Sequence, residues 1–214
     1  YFMPGGNPLL KPEEGISFDG GLSAQHQGRL FRWSGNVTGF YSRISNWIAW
    51  LPTFKGFWSP VNVKQVKSYG IECRGSLEII PGHDWEIGGN GNFSWTRSLN
   101  LGDPVSWADG AIGKQLVYIP EFSAAFTGRV SWKEWTFTYD WTYYSERYTT
   151  SSNMTRTQLG VLGPYFMNDI ALEKSIRLNR AVLHVKAIVR NLFNEAYETV
   201  LARPMPGINY TLSI

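Results

Sequence analysis

The sequence predicts an all-β fold, an antiparallel transmembrane β-barrel, and three observations carry that prediction. Apolar and small or polar residues alternate with a period of two along almost the whole chain. The connections between the alternating segments are brief and long by turns. Large aromatic residues gather at the ends of those segments rather than at their centres.

The cleanest alternation runs through four segments. Tyr69, Ile71, Cys73, Leu77 and Ile79 oppose Ser68, Glu72, Arg74, Ser76 and Glu78. Trp85, Ile87, Gly89, Gly91, Phe93 and Trp95 share one face, with Glu86, Asn90, Asn92, Ser94 and Thr96 on the other. Phe122, Ala124, Phe126, Val130 and Trp132 oppose Ser123, Thr127, Arg129 and Ser131, and Trp135, Phe137, Tyr139, Trp141 and Tyr143 oppose Thr136, Thr138, Asp140 and Thr142. Weaker versions span residues 16–24, 31–41, 170–178, 183–189 and 208–214, which makes nine strands in all. Brief turns are expected near 26–28, 81–84, 133–134 and 179–180, and long connections near 50–63, 99–116, 145–164 and 194–206.

Lipid offers no hydrogen bonds, so a spanning sheet pairs every backbone group with a neighbouring strand and turns an apolar band outwards. Short periplasmic turns and long extracellular loops belong to the same architecture. Phe31, Trp33, Trp85, Trp132 and Trp135 fall near the brief turns, and Trp47, Trp50 and Trp95 near the long loops, as two interfacial girdles would require. The rival reading is a secreted β-sandwich whose faces are core and solvent. The large exposed rings speak against it, as do opposite faces that are small and polar instead of rich in Lys and Glu.

Several classes are excluded by composition. No stretch approaches the roughly 18 consecutive apolar residues of a membrane-spanning helix. The single cysteine, Cys73, forms no internal disulfide. Basic residues exceed acidic ones by only 20 to 17 and form no runs, so no nucleic-acid surface is expected. The chain opens on Tyr1-Phe2-Met3-Pro4-Gly5-Gly6 without the features of a signal peptide, and nine is an odd number where bacterial single-chain barrels have an even one. Residues 1–214 are therefore expected to be the C-terminal portion of a barrel whose earlier strands lie upstream.

Two segments resemble signatures of TonB-dependent receptors. Asn7-Pro8-Leu9-Leu10-Lys11-Pro12-Glu13-Glu14 resembles the family's Asn-Pro-x-Leu-Lys-Pro-Glu stretch, which enters a strand from an outer loop. Asn191-Leu192-Phe193-Asn194-Glu195-Ala196-Tyr197, followed by Arg203-Pro204-Met205-Pro206-Gly207-Ile208, resembles the Asn-Leu-Phe, Tyr and Pro-Gly-Arg marks of the last two strands. These residues suit structural duties: Pro206 and Gly207 fix the loop before the final strand, and Asn191 can bond backbone where pairing ends. Two departures stand out. Ile208 occupies the place where the family usually has Arg, and the chain stops at Ile214, where family barrels end in an aromatic residue. A few further C-terminal residues are expected.

The resemblance implies a 22-stranded outer-membrane barrel with an N-terminal plug, coupled through TonB to the inner membrane. It implies active import of a scarce nutrient, with partners that include outer-membrane lipid, the TonB complex and a small nutrient ligand; whether a surface lipoprotein also caps the barrel stays open in the sequence. The glycine- and proline-rich segments resemble receptors of Bacteroidetes-type bacteria, in the cobalamin or iron-siderophore branch. No cofactor and no enzymatic reaction is implied. A passive outer-membrane pore or a barrel enzyme remains the alternative.

Candidate chemistry in the residues is sparse. His26, His83 and His184 fall in two turns and on a polar strand face, without metal-ligand spacing. The run from Gly88 to Asn92 lies inside a strand and precedes no helix, so it is no phosphate cradle. Glu72, Arg74 and Glu78 share the polar face, where cross-strand charge pairs in a wet lumen are the simpler account. The glycosylation-type triplets at Asn36, Asn92, Asn153 and Asn209 lie mostly in strands, as coincidence would place them. Phe57, Trp58, Trp107 and Tyr148 fall in the outer loops and are the candidates for stacking against a ligand at the barrel mouth.

Overall fold

The computed structural model describes residues 7–52, 58–62, 65–102, 110–156 and 159–214; at 49–52, 58, 59 and 61 it describes backbone alone. In chain order the strands are β1 (Glu14–Gln27), β2 (Phe31–Ser45), β3 (Ile48–Pro52), β4 (Trp58–Asn62), β5 (Val66–Gly82), β6 (Trp85–Asn100), β7 (Phe122–Trp132) and β8 (Trp135–Tyr144). They continue as β9 (Arg147–Tyr148), β10 (Val161–Leu162), β11 (Tyr165–Arg177), β12 (Val182–Arg190), β13 (Glu198–Val200), β14 (Arg203–Pro204) and β15 (Asn209–Ser213). Nine of them form one antiparallel meander in the order β1-β2-β5-β6-β7-β8-β11-β12-β15. The remaining six form three small hairpins in the long connections: β3 with β4, β9 with β10, and β13 with β14.

Each of the nine expected strands is present, with the brief turns and long connections alternating as anticipated. The turn between β5 and β6 needs three successive residues in the left-handed region, Gly82, His83 and Asp84, and the register shifts there. Among the described residues no helix is long and apolar enough to cross a membrane.

Register fixes the two faces. Leu22, Val37, Cys73, Phe93, Ala124, Tyr143 and Phe166 are successive cross-strand partners from β1 to β11, and they define the apolar face. The polar face is laced by short cross-strand bonds. Ser17 with Ser42, Ser34 with Ser76, and Ser68 with Ser98 join hydroxyls at 2.7–2.9 Å, and the Thr127 hydroxyl donates to Asp140 at 2.6 Å. The acidic residues split: Arg32 and Glu78 pair across strands at 3.1 Å, whereas Arg74 reaches Glu72 along its own strand at 3.4 Å.

No second layer covers the apolar face. Among the described residues the buried apolar side chains are Val66, Ala111, Leu162 and Tyr165, whereas Phe18, Leu22, Val37, Ile71, Phe93, Phe126 and Phe137 are all exposed. A β-sandwich would bury these against a second sheet about 10 Å away. In water such a surface would far exceed the few hundred Å² that soluble monomers expose. Against lipid tails it carries no such cost, and the sandwich reading fails on this observation. One polar intrusion is satisfied locally: Asn168 lies on the apolar face and accepts a hydrogen bond from the Tyr139 hydroxyl at 2.6 Å.

Tight packing occurs where strands approach most closely. A Cβ added at Gly70 would lie 2.1 Å from the Trp95 carbonyl oxygen and 2.9 Å from the Phe40 ring. Gly70→Ala is therefore expected to destabilise the wall by about 1–3 kcal/mol through overpacking. The check is a lower denaturant midpoint at unchanged slope.

Candidate functional site at the outer rim

The long connections all emerge at one end of the wall, the extracellular end, and polar side chains, some of them buried, tie them together. Near the start, Asn62 accepts from the Lys11 amide at 2.7 Å and donates to the Lys11 carbonyl at 2.9 Å and to the Asn46 carbonyl at 2.6 Å. Asn7 donates to the Pro60 carbonyl at 3.0 Å, and Glu13 accepts from the Ile48 amide at 2.7 Å. The Asn7 to Glu13 segment, with Pro8 and Pro12 in it, is thus sewn to the hairpin of β3 and β4.

The second and third long connections meet through Gln115 and Asn153. Asn153 accepts from the Gln115 amide at 2.8 Å and donates to its carbonyl at 2.9 Å. The buried Gln115 side chain in turn accepts from the Ser98 amide at 2.9 Å, which seats the loop on β6. Tyr148, the one loop aromatic of the four candidates whose side chain is described, lies on β9, where its carbonyl accepts from the Tyr118 amide at 2.8 Å. Phe57 and Trp107 lie outside the described residues, as does the Trp58 side chain.

The third and fourth connections meet at Arg147. Its guanidinium is buried, lies 4.9 Å from the Tyr165 ring centroid, and donates to the Gly163 carbonyl at 3.3 Å and the Glu198 carbonyl at 3.0 Å. Tyr144, Tyr165 and Tyr197 form a chain of ring contacts at 5.4 and 4.6 Å. Burial first, and then the Asp169 carboxylate, raise the Tyr197 hydroxyl above the ordinary tyrosine range. Beside this chain lies a cleft of about 380 Å³, bordered by Leu162, Tyr165, Tyr197, Glu198, Leu201 and Met205.

Asn191 knots the final loop. Among the described residues it is the most deeply buried polar one, 1% exposed, and it sits at φ 52° where β12 ends. Its side-chain amide donates to the Glu195 and Pro206 carbonyls at 2.9 and 3.3 Å and accepts from the Glu195 amide at 2.7 Å. Asn194 caps the other side by accepting from the Ile208 amide at 2.9 Å, and a Cβ at Gly207 would come within 2.5 Å of that same oxygen. A larger residue there would push the Asn194 side chain off the Ile208 amide. Phe193 points away and is exposed, and Leu192 donates its amide to the Asn168 carbonyl at 2.8 Å.

Below the rim the polar face forms a concavity of about 830 Å³, bounded by Ser23, Gln25, Asn36, Arg74, Asn90 and Asn92. The site is thus an aromatic rim above an amide- and hydroxyl-rich wall that also carries the Arg74–Glu72 and Arg32–Glu78 pairs. It offers ring stacking and hydrogen bonding to a ligand, while the Arg147 charge is consumed between the loops. Gln115, Arg147 and Asn153 were not among the site residues singled out in the sequence.

Comparison with known proteins agrees with this geometry. Residues 1–192 match the family model described as TonB dependent receptor-like, beta-barrel. The Vitamin B12 transporter BtuB of Photobacterium profundum is 28% identical over 202 residues, which cover 92% of this chain and 29% of that protein. Among solved structures, the copper transporter OprC superposes with a TM-score of 0.68 at 18% identity, over 95% of this chain and 31% of its own. The siderophore receptor PiuA from Acinetobacter baumannii does so with a TM-score of 0.65 at 17% identity, over 99% and 28%. The chain spans less than a third of the length of each of these three. It belongs to the TonB-dependent receptor-like β-barrel family, whose members are outer-membrane proteins of Gram-negative bacteria.

Proposed function

We propose that this segment is the C-terminal wall and outer rim of a receptor that imports a scarce nutrient, cobalamin, an iron-siderophore or a similar chelate, across the outer membrane by TonB coupling. The observation that supports it best is the single-layered wall itself: lipid-compatible outside, amide- and hydroxyl-lined inside, with interlocked loops above. The relatives' names cover vitamin B12, copper and siderophores, and a wall of amides and hydroxyls suits a polar chelate. In the described sheet β1 and β15 are edges, and hydrocarbon tolerates no unpaired edge. Further strands of the same polypeptide, to a total of 22, close the barrel in this reading. A plug fills it, and a short segment of that plug contacts TonB.

Ligand capture falls to the rim: Tyr148, the cleft beside Tyr197, and the loop aromatics Phe57, Trp58 and Trp107. Release to the periplasm follows plug movement, with no bond made or broken. Labelled cobalamin and ferric siderophore uptake by cells that carry or lack the gene tests this directly. Uptake of one class should depend on both the receptor and TonB. Uptake that persists without TonB would replace the importer with a passive pore, and a requirement for a co-expressed lipoprotein would identify the cap.

A further inference from the structure

Three cations stand side by side on the lipid-facing surface at the outer end of the wall. Arg43 of β2 and Lys67 of β5 are direct cross-strand partners, and Arg97 of β6 is the partner of Tyr69, two residues along from Lys67. Register with Ile16 and Phe18 on one side and Trp95 on the other puts all of them on the apolar face. They lie at, or just beyond, the outer row of aromatic rings formed by Tyr41, Tyr69 and Trp95. Lys67 Nζ sits 5.6 Å from the Tyr41 ring centroid and 5.1 Å from that of Tyr69.

The local counter-charge is thin. Arg43 donates to the neutral Gln65 side chain at 2.5 Å. Arg97 meets Glu121 at 3.8 Å, but that carboxylate also accepts from Trp95 Nε1 at 3.1 Å. Glu14 shares the face, diagonal to Arg43, with no ion pair between them. Among the described residues Arg43 and Lys67 have no carboxylate within 4.0 Å. Like charges directly opposed on a sheet are destabilising. On a face whose neighbours are lipid, the neutralising groups come from lipid.

We propose that Arg43, Lys67 and Arg97 form a binding site for the phosphate groups of an outer-leaflet lipid headgroup, with the acyl chains running down over Ile16, Phe18 and Ile71. Fixed donors at the height of the headgroups hold the phosphates, and the aromatic row beneath sets the depth. The proposal rests on the outer-membrane placement of the wall and is independent of what the receptor imports, so failure of the uptake assay leaves it standing.

Native mass spectrometry of the full-length receptor in detergent, titrated with diphosphorylated lipid A, provides the test. Each cation removed should weaken binding about fivefold, so R43Q/K67Q/R97Q should lose on the order of a hundredfold. R129Q, a lumenal cation, should bind as the parent does, and K67R should recover most of what K67Q loses. Millimolar inorganic phosphate should not displace the lipid, and dephosphorylated lipid A should bind as weakly as the triple variant. Unchanged binding by the triple variant overturns the proposal, and so does efficient displacement by inorganic phosphate, which would mean a free-anion site. Heat-modifiable gel mobility reports whether the triple variant folds; if it does not, K67Q alone decides, with fivefold weakening against none.

Discussion

Replacing Asn191 by Ala should cost the receptor on the order of 3–5 kcal/mol of stability. Three backbone groups, the Glu195 amide and the Glu195 and Pro206 carbonyls, would lose their partner inside a site only 1% exposed. Each buried unsatisfied group costs about 1–3 kcal/mol. The left-handed backbone at φ 52° adds about 1 kcal/mol, because Asn tolerates that region better than Ala does. Asn191→Asp should cost at least as much: it keeps the acceptor for the Glu195 amide but loses both donations, turns a buried charge toward the Glu195 and Pro206 carbonyls, and places a second carboxylate beside Asp169, which already accepts from the Asn191 backbone amide at 2.8 Å. Denaturant titration followed by heat-modifiable gel mobility measures this, and a change below about 1 kcal/mol would show that water replaces the side chain.

The second large effect is expected at Arg147. Truncation to Ala removes the contact with the Tyr165 ring, leaves the Gly163 and Glu198 carbonyls without their donor, and opens a cavity, for an expected loss of about 3–5 kcal/mol. Arg147→Met should cost less, about 2 kcal/mol. It refills the space and also removes the buried Nε, which has no hydrogen-bond partner in the parent. The loss is local, so hydrogen exchange should quicken at 159–163 and 198–204 in both variants while β6 keeps its protection. Uniform loss of protection across the sheet would instead make Arg147 a global stability residue.

The wall was legible in the sequence wherever its two faces meet different media. Lipid on one side and a polar lumen on the other impose alternation, so Trp85 to Thr96 and Trp135 to Tyr143 could be read directly. Strand ends were harder, because the contrast fades where water reaches both faces. β5 begins at Val66 rather than Ser68, and β11 begins at Tyr165, five residues before the expected Ile170. In β11 the adjacent pair Asn168 and Asp169 breaks the pattern: Asn168 is tolerated on the apolar face only because Tyr139 bonds it.

The rim was legible only where a family mark lay on it. Asn191, Glu13 and Gly207 could be singled out because their motifs were recognisable, and their types suit knots and close approaches. Gln115, Arg147 and Asn153 act through partners 16 to 51 residues away, and no local pattern announces such bonds. Asn153 stood out in the sequence only as part of a glycosylation-type triplet, whereas in the fold it clasps two loops. The three small hairpins were likewise hidden, since pairings of two to five residues depend on neighbouring loops more than on their own composition.

The ring of Phe126 lies between two bare positions on the apolar face. A Cβ at Gly89 would approach it to 3.3 Å, and one at Gly128 to 3.1 Å. An alanine at either glycine would press on this ring, which must yield by a few tenths of an ångström to admit it. Residue 126 therefore sets how much volume β6 and β7 can add at this place, and a smaller side chain there widens what both glycine positions accept.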